Sequence, residues 1–220
     1  MNFRILLLLG SLSAFGPMAI DFYLPSFPTL ALAFSTNVEH VQLTLSAYFI
    51  GLAGGQLLYG PLADRFGRRK PLLFGVLLFT VASVICSMAS SLEWLIAARF
   101  LQALGGCAGI VISRAVVRDL CDPLASAKAF SQLMLVMGVA PILAPAIGGM
   151  LLTQFGWQSI FICLALFGAL CGVAVALWLP ETLHLPVRAF PVKKGSGKIC
   201  RFFRNLIINI ISSDDGQSEA

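Results

Sequence analysis

Two charged side chains, Asp21 and Arg99, stand inside otherwise apolar stretches of this 220-residue chain. A carboxyl in such a setting can take up and release a proton. A guanidinium stays charged in proteins and biases the proton affinity and hydrogen bonds of acids near it. A third group is denser: Gly60-Pro61-Leu62-Ala63-Asp64-Arg65-Phe66-Gly67-Arg68-Arg69-Lys70 sets one acid among four cations. Its chemistry is ion pairing, and an ion-paired cluster can form in one conformation and break in another. Little else here could react. The only histidines are His40 and His184, and the six cysteines contain no CxxC pair or zinc spacing. The chain is therefore expected not to be an enzyme, and to hold no metal and no cofactor.

The elements that must carry these groups are membrane spans. Hydrophobic residues make up 58% of the chain and charged residues 11%, against about 25% charged in soluble domains. Mean hydropathy is +0.90. Val41 to Leu62 and Pro71 to Leu92 carry no charge, and ~20 apolar residues cross a bilayer. The pattern predicts an all-α bundle of six transmembrane helices at about 5–33, 40–62, 71–89, 92–114, 128–152 and 157–179. The first is long and carries Pro17, Pro25 and Pro28, so kinks are expected. The start, with Arg4 ahead of an apolar run, has the look of a secretory signal, but the run continues past any cleavage site and more spans follow.

Every Lys and Arg except Arg99 falls on one side if the N-terminus is inside. Arg4, the Arg65–Lys70 group, Arg114, Arg118, Lys128 and the tail are then cytoplasmic, and the outer connectors hold no Lys or Arg. That asymmetry predicts both termini inside. The formal charge of +5 is explained by topology, and no nucleic-acid partner is expected.

In this topology Arg99 lies seven residues below the outer surface, roughly 10 Å at ~1.5 Å per residue, with Asp21 somewhat deeper. Charges at such depth face water or one another. Either Asp21 exchanges a coupling proton under the influence of Arg99, or the two form a static pair between helices. Asp64 is expected to pair with Arg68, Arg69 or Arg114 as a latch, the alternative being that the cations only set topology. Gly60 would admit a close neighbour, and Gly67 a tight turn. Gly138, Pro141, Pro145, Gly148 and Gly149 give the fifth span a narrow, loosened surface for sliding or for plain packing.

These segments carry a resemblance. Gly60–Lys70 resembles the loop 2–3 signature of the major facilitator superfamily of secondary transporters. Arg99-Phe100-Leu101-Gln102-Ala103-Leu104-Gly105-Gly106 is similar to its fourth-helix motif, with Ala103 at a usual Gly. Ala144-Pro145-Ala146-Ile147-Gly148-Gly149 is similar to the fifth-helix motif of antiporters, with Ala144 at another. Asp21-Phe22-Tyr23-Leu24-Pro25 and Arg118-Asp119 resemble the bicyclomycin/chloramphenicol-resistance branch. The resemblance covers residues 1 to about 183 and implies the N-terminal half of that fold, a six-helix bundle of 3+3 inverted repeats. It implies proton-coupled efflux of small-molecule drugs across a bacterial inner membrane, driven by the proton gradient. Tyr23, Tyr48, Gln56, Gln102 and Met137 are the candidates for a substrate cavity.

Residues 184–220 read as a separate basic tail. Ile199, Phe202, Phe203, Leu206, Ile207, Ile210 and Ile211 share one helical face, which suits the anionic inner leaflet, and a disordered terminus is the alternative. Gly195-Ser196-Gly197-Lys198 lacks the spacing of a phosphate loop. The family's transporters have twelve spans, and this chain has six. A truncated product is expected; a homodimer or a pair with a second half, and a regulatory membrane protein, are the alternatives.

Overall fold

A computed structural model describes residues 3–182. The expected amphipathic tail, 184–220, lies outside the described residues. Every regular element described is helical. The helices are α1 (Phe3–Ser13), α2 (Phe15–Asp21), α3 (Phe27–Ala33), α4 (Val38–Phe66), α5 (Arg69–Ser87), α6 (Leu92–Leu120), α7 (Pro123–Phe155) and α8 (Gln158–Trp178), with a 3-10 turn at Leu24–Ser26. Five are long and apolar enough to cross a bilayer, and the bent α1–α3 run makes a sixth.

The prolines explain the broken first span. Pro17 has no N–H for the Ser13 carbonyl and its ring crowds that carbonyl, so the helix breaks at Ala14 and bends by 41°. Pro25 and Pro28 then sit at the starts of the 3-10 turn and α3, where a missing donor costs least. Three long helices begin with side-chain caps: Asn37 accepts from His40 N, Ser91 from Trp94 N, and Asp122 from Ala125 N. Such caps satisfy N–H groups that have no partner within the helix.

α4 packs along α6, α5 lies between α6 and α8, and the first span rests on α7. Exchanging spans one to three with spans four to six turns the second–fourth contact into the fifth–first and leaves third–sixth in place. The extensive α5–α6 contact, by contrast, has only a slight counterpart between α8 and the first span. Small residues allow the closest approaches: a Cβ on Gly105 would lie 2.3 Å from the Phe79 backbone nitrogen. Phe15 of the first span stacks on Phe79 at 4.5 Å between ring centres, with Phe167 edge-on at 5.4 Å.

The helices outrun the apolar stretches that reveal them. α4 continues through Asp64 and Arg65 to Phe66, and α6 through Arg114 and Arg118 to Leu120. Hydropathy marks where lipid ends, whereas backbone hydrogen bonding continues into the headgroups. The Gly60–Lys70 signature is therefore mostly two helix ends, and only Gly67 and Arg68 form the connection.

Candidate functional site

Arg99, on α6, is fully buried. Its Nη1 donates to Gln102 Oε1 at 2.7 Å and its Nη2 to the Ala19 carbonyl at 3.1 Å. Gln102 Nε2 in turn donates to Ser83 Oγ at 2.7 Å, and that hydroxyl donates to the Phe79 carbonyl. The guanidinium carbon lies 4.3 Å from the ring centre of Tyr48, 4.5 Å from that of Tyr23 and 5.8 Å from that of Phe161. Tyr23 Oη bonds Thr44 Oγ1 at 2.7 Å, and Thr44 donates on to the Val41 carbonyl.

A buried lone charge is costly. Here π faces worth up to ~2 kcal/mol each when desolvated, together with two charge-assisted hydrogen bonds, offset that cost. Arg99 Nε and Tyr48 Oη have no hydrogen-bond partner among the described residues. Asp21, at the end of α2, is half-buried. No ion pair joins it to Arg99 among the described residues. The guanidinium instead bonds the backbone two residues before it.

The second cluster lies where α4, α5 and α6 end on the side expected to be cytoplasmic. Arg68 Nη1 meets Asp64 Oδ1 at 2.6 Å, one turn back, and its Nε meets Asp119 Oδ2 at 2.8 Å. The Arg68 side chain is 11% exposed, Asp119 21% and Asp64 61%. Burial works to lower the Arg68 pKa, but hydrogen bonds to Asp119 and Asp64 and their charges outweigh it and hold it above the ordinary guanidinium value. Gly67 has φ +86°, a conformation natural to glycine. Glu181 accepts from Arg68 N at 2.8 Å and Arg69 N at 3.3 Å, and Arg69 Nη2 donates to the Ala176 carbonyl.

Of the residues expected to latch, the structure joins Asp64 to Arg68. Arg69 reaches the end of α8 instead, Arg65 lies over the Phe66 ring, and Lys70 and Arg114 are exposed. Arg114 does not join the cluster, because α6 runs on for another turn and presents Asp119. In the sequence Asp119 stands out through its resemblance and as an acid beside Arg118 at the end of α6, whereas Glu181 carries no such signal, lying past the end of α8, whose last turn holds no basic residue.

The substrate-cavity candidates divide. Tyr23, Tyr48 and Gln102 are fully buried around Arg99 and form no open wall in this conformation. Aromatic and amide side chains in a membrane helix can serve a buried polar group as well as a ligand, and residue type does not distinguish the two. Gln56 is exposed and Met137 half-buried. A mainly apolar cleft of about 620 Å³ does exist, between the first span and α7 with Phe167 at one wall. Leu7, Ser11, Met18, Gln132 and Val136 line it, and none of the five candidates does.

The fifth-span residues divide as well. A Cβ on Gly148 would come within 2.4 Å of the Phe22 carbonyl oxygen, so this glycine seats α7 on the first span. Gly138 and Gly149 have nothing within 4 Å of that position, and Pro141 and Pro145 are exposed. α7 remains one continuous helix despite both prolines.

Residues 7–212 match the family model described as "Major Facilitator Superfamily". The chain is 46% identical over 183 residues to an "Uncharacterized MFS-type transporter YdgK" of Bacillus subtilis, covering 82% of this chain and 46% of the relative. It is 38% identical over 192 residues to a "Bicyclomycin resistance protein homolog" of Haemophilus influenzae, covering 87% and 48%. It is 36% identical over 181 residues to "Multidrug resistance protein D" of Escherichia coli, covering 82% and 46%. The chain thus spans about half the length of the curated relatives it matches. Among solved structures, the proton:xylose symporter XylE superposes with a TM-score of 0.72 at 16% identity, over 82% of this chain and 45% of that one; at that identity the likeness concerns the fold alone.

Proposed function

The chain belongs to the major facilitator superfamily, and from that premise we propose that it is the N-terminal half of a proton-coupled exporter of small-molecule drugs. It is a multi-pass membrane protein whose relatives are transporters rather than enzymes. We place it in a bacterial inner membrane with both ends cytoplasmic, drawing energy from the proton gradient. The observation that carries this reading is Arg99. A fully buried cation bonds the first-span backbone at Ala19, two residues from the half-buried Asp21, without forming an ion pair with it. A half-buried carboxyl that no ion pair holds remains free to bind and release a proton. The Asp64–Arg68–Asp119 cluster then serves as the latch at the cytoplasmic end, holding α4, α5 and α6 together in one state and parting in the other.

Proteoliposomes test this. The chain is reconstituted with the separately expressed second half of a drug-exporting relative, and efflux of a fluorescent drug is followed under an imposed pH gradient. Gradient-driven efflux is expected, and Asp21→Asn should abolish it. Proton-driven efflux at full rate in Asp21→Asn would remove Asp21 from coupling.

A second reading has its own support. Gly54 and Gly60 on α4 and Gly138 and Gly149 on α7 have open space where a Cβ would lie. Small residues on membrane helices let another helix approach closely, so this chain alone would be a non-transporting half that acts only when a second six-helix body covers those faces. Efflux by the chain reconstituted without a second half would overturn that reading.

A further inference from the structure

Arg99, Gln102 and Ser83 are each fully buried, and they form one chain of hydrogen bonds whose direction is fixed at both ends. A guanidinium has donors and no acceptor, so Gln102 must turn its oxygen to Arg99, at 2.7 Å. Its NH2 group then faces Ser83 Oγ, also at 2.7 Å. A hydroxyl has a single proton, and Ser83 gives it to the Phe79 carbonyl at 2.7 Å, one turn back on α5. Only the lone pairs of Ser83 remain for Gln102. The far end of the chain is well held: the Phe79 ring stacks on Phe15, and Gly105 lets the Phe79 backbone approach α6 closely. At the near end the other arm of the guanidinium, Nη2, meets the Ala19 carbonyl at 3.1 Å. The chain therefore runs from the third span through the fourth to the backbone of the first.

We propose that Ser83 is a positioning residue for Arg99 and acts on it through Gln102. The tyrosine and phenylalanine faces around Arg99 hold a cation over a ring but do not set the direction of its N–H groups. Hydrogen bonds set that direction, and the one from Arg99 to Gln102 is anchored by Ser83. Without the Ser83 oxygen the Gln102 NH2 group loses its acceptor in a buried place, and the amide turns or tilts off the guanidinium to find another. Ser83 thereby governs how Nη2 reaches Ala19, two residues before Asp21. The α5 backbone does not need this hydroxyl, because the Phe79 carbonyl keeps the Ser83 N–H of the helix ladder. The consequence for proton coupling rests on the reading above; the placement of Arg99 does not.

Magnetic resonance of the ¹⁵N-labelled full chain in lipid nanodiscs reads these groups directly and requires no transport. In the wild type the Gln102 NH2 protons should show a stronger Overhauser contact to the Ser83 methylene than to the Arg99 Nη protons. The reverse order would mean a turned amide and would overturn the inference. In Ser83→Ala the Arg99 Nη1 and Nη2 protons should exchange with solvent about three- to ten-fold faster, the scale of one neutral hydrogen bond. Amides at the middle of α8 should not change. A role in packing alone would act with or without Gln102. In Gln102→Leu the Arg99 protons should already exchange faster, and adding Ser83→Ala should then change them by less than about two-fold. Equal acceleration in both backgrounds would overturn the inference, and so would wild-type rates in Ser83→Ala. Should either variant fail to fold, the wild-type contacts decide alone. Failure of gradient-driven efflux in the unsubstituted two-half assembly, with these signals as expected, would count against the coupling reading and leave the placement of Arg99 supported.

Discussion

The guanidinium of Arg99 rests 4.3 Å from the ring centre of Tyr48, and the hydroxyl of that ring has no hydrogen-bond partner among the described residues. Tyr48 therefore serves the cation with its face and not with its oxygen. Tyr48→Phe keeps the face and removes a buried, unsatisfied group, so stability should change by less than about 1 kcal/mol, in either direction. Tyr48→Ala should cost about 3–5 kcal/mol from the cavity alone, and more for the uncovered charge. Denaturant unfolding in micelles, followed by tryptophan fluorescence, separates the two.

Tyr23 and Thr44 act as a pair across the first two spans. Tyr23→Phe and Thr44→Val should each lose about 0.5–1.5 kcal/mol. Combined, they should lose clearly less than the sum, because the same 2.7 Å bond is removed twice. Strict additivity in the cycle would mean that this bond contributes nothing.

Arg68 serves two acids from two different nitrogens, which a single ammonium on a shorter fork-less stem cannot reproduce. Arg68→Lys should cost about 1–3 kcal/mol and free the Asp119 end of α6. The pH dependence has a definite sign. A group whose folded pKa is raised contributes stability that is complete below its unfolded value and lost as pH rises through the folded one. For Arg68 that loss lies in strong alkali, so its contribution should be flat between about pH 6 and 9. A titration of unfolding midpoints for wild type and Arg68→Lys checks this, since a difference that varies across that range would place the titration elsewhere.

Two glycines should behave oppositely. Gly105→Ala drives a methyl group into the α5 backbone at 2.3 Å and should cost about 1–3 kcal/mol or prevent folding. Gly138→Ala meets nothing within 4 Å and should leave the bundle as stable as before or slightly more so. If a second half covers α7, Gly138→Ala should weaken that association while leaving the isolated half unchanged. Thermal melts of the half and a pull-down of the two halves read the two effects separately.

Sidedness is expected from the positive charges. A cysteine replacing exposed Lys70 should react with an impermeant maleimide only from the cytoplasmic side, and one replacing Asn37, in a connector expected to be outer, only from outside. The reverse result would invert the topology and place the latch on the wrong face.

Much of this was written in composition and spacing. Stretches of ~20 uncharged residues must cross a bilayer as helices, because lipid offers backbone groups no partner, so the spans were legible to within their charged ends. The bend of the first span could be read from Pro17, since proline's missing donor acts wherever the helix lies. That Asp21, Arg99 and the Asp64–Lys70 run need a structural reason was equally plain, because charges beside or within apolar runs are costly. Which partners those charges take was a matter for the tertiary structure. Arg99 meets two tyrosine faces rather than Asp21, and Arg68 rather than Arg114 joins the acids, because helix rotation and tilt decide contacts between residues 80 or 51 positions apart. Glu181 shows the limit most clearly. One acid after α8 has no signature of its own, and it meets the Arg68 and Arg69 amides only because α8 packs on α5.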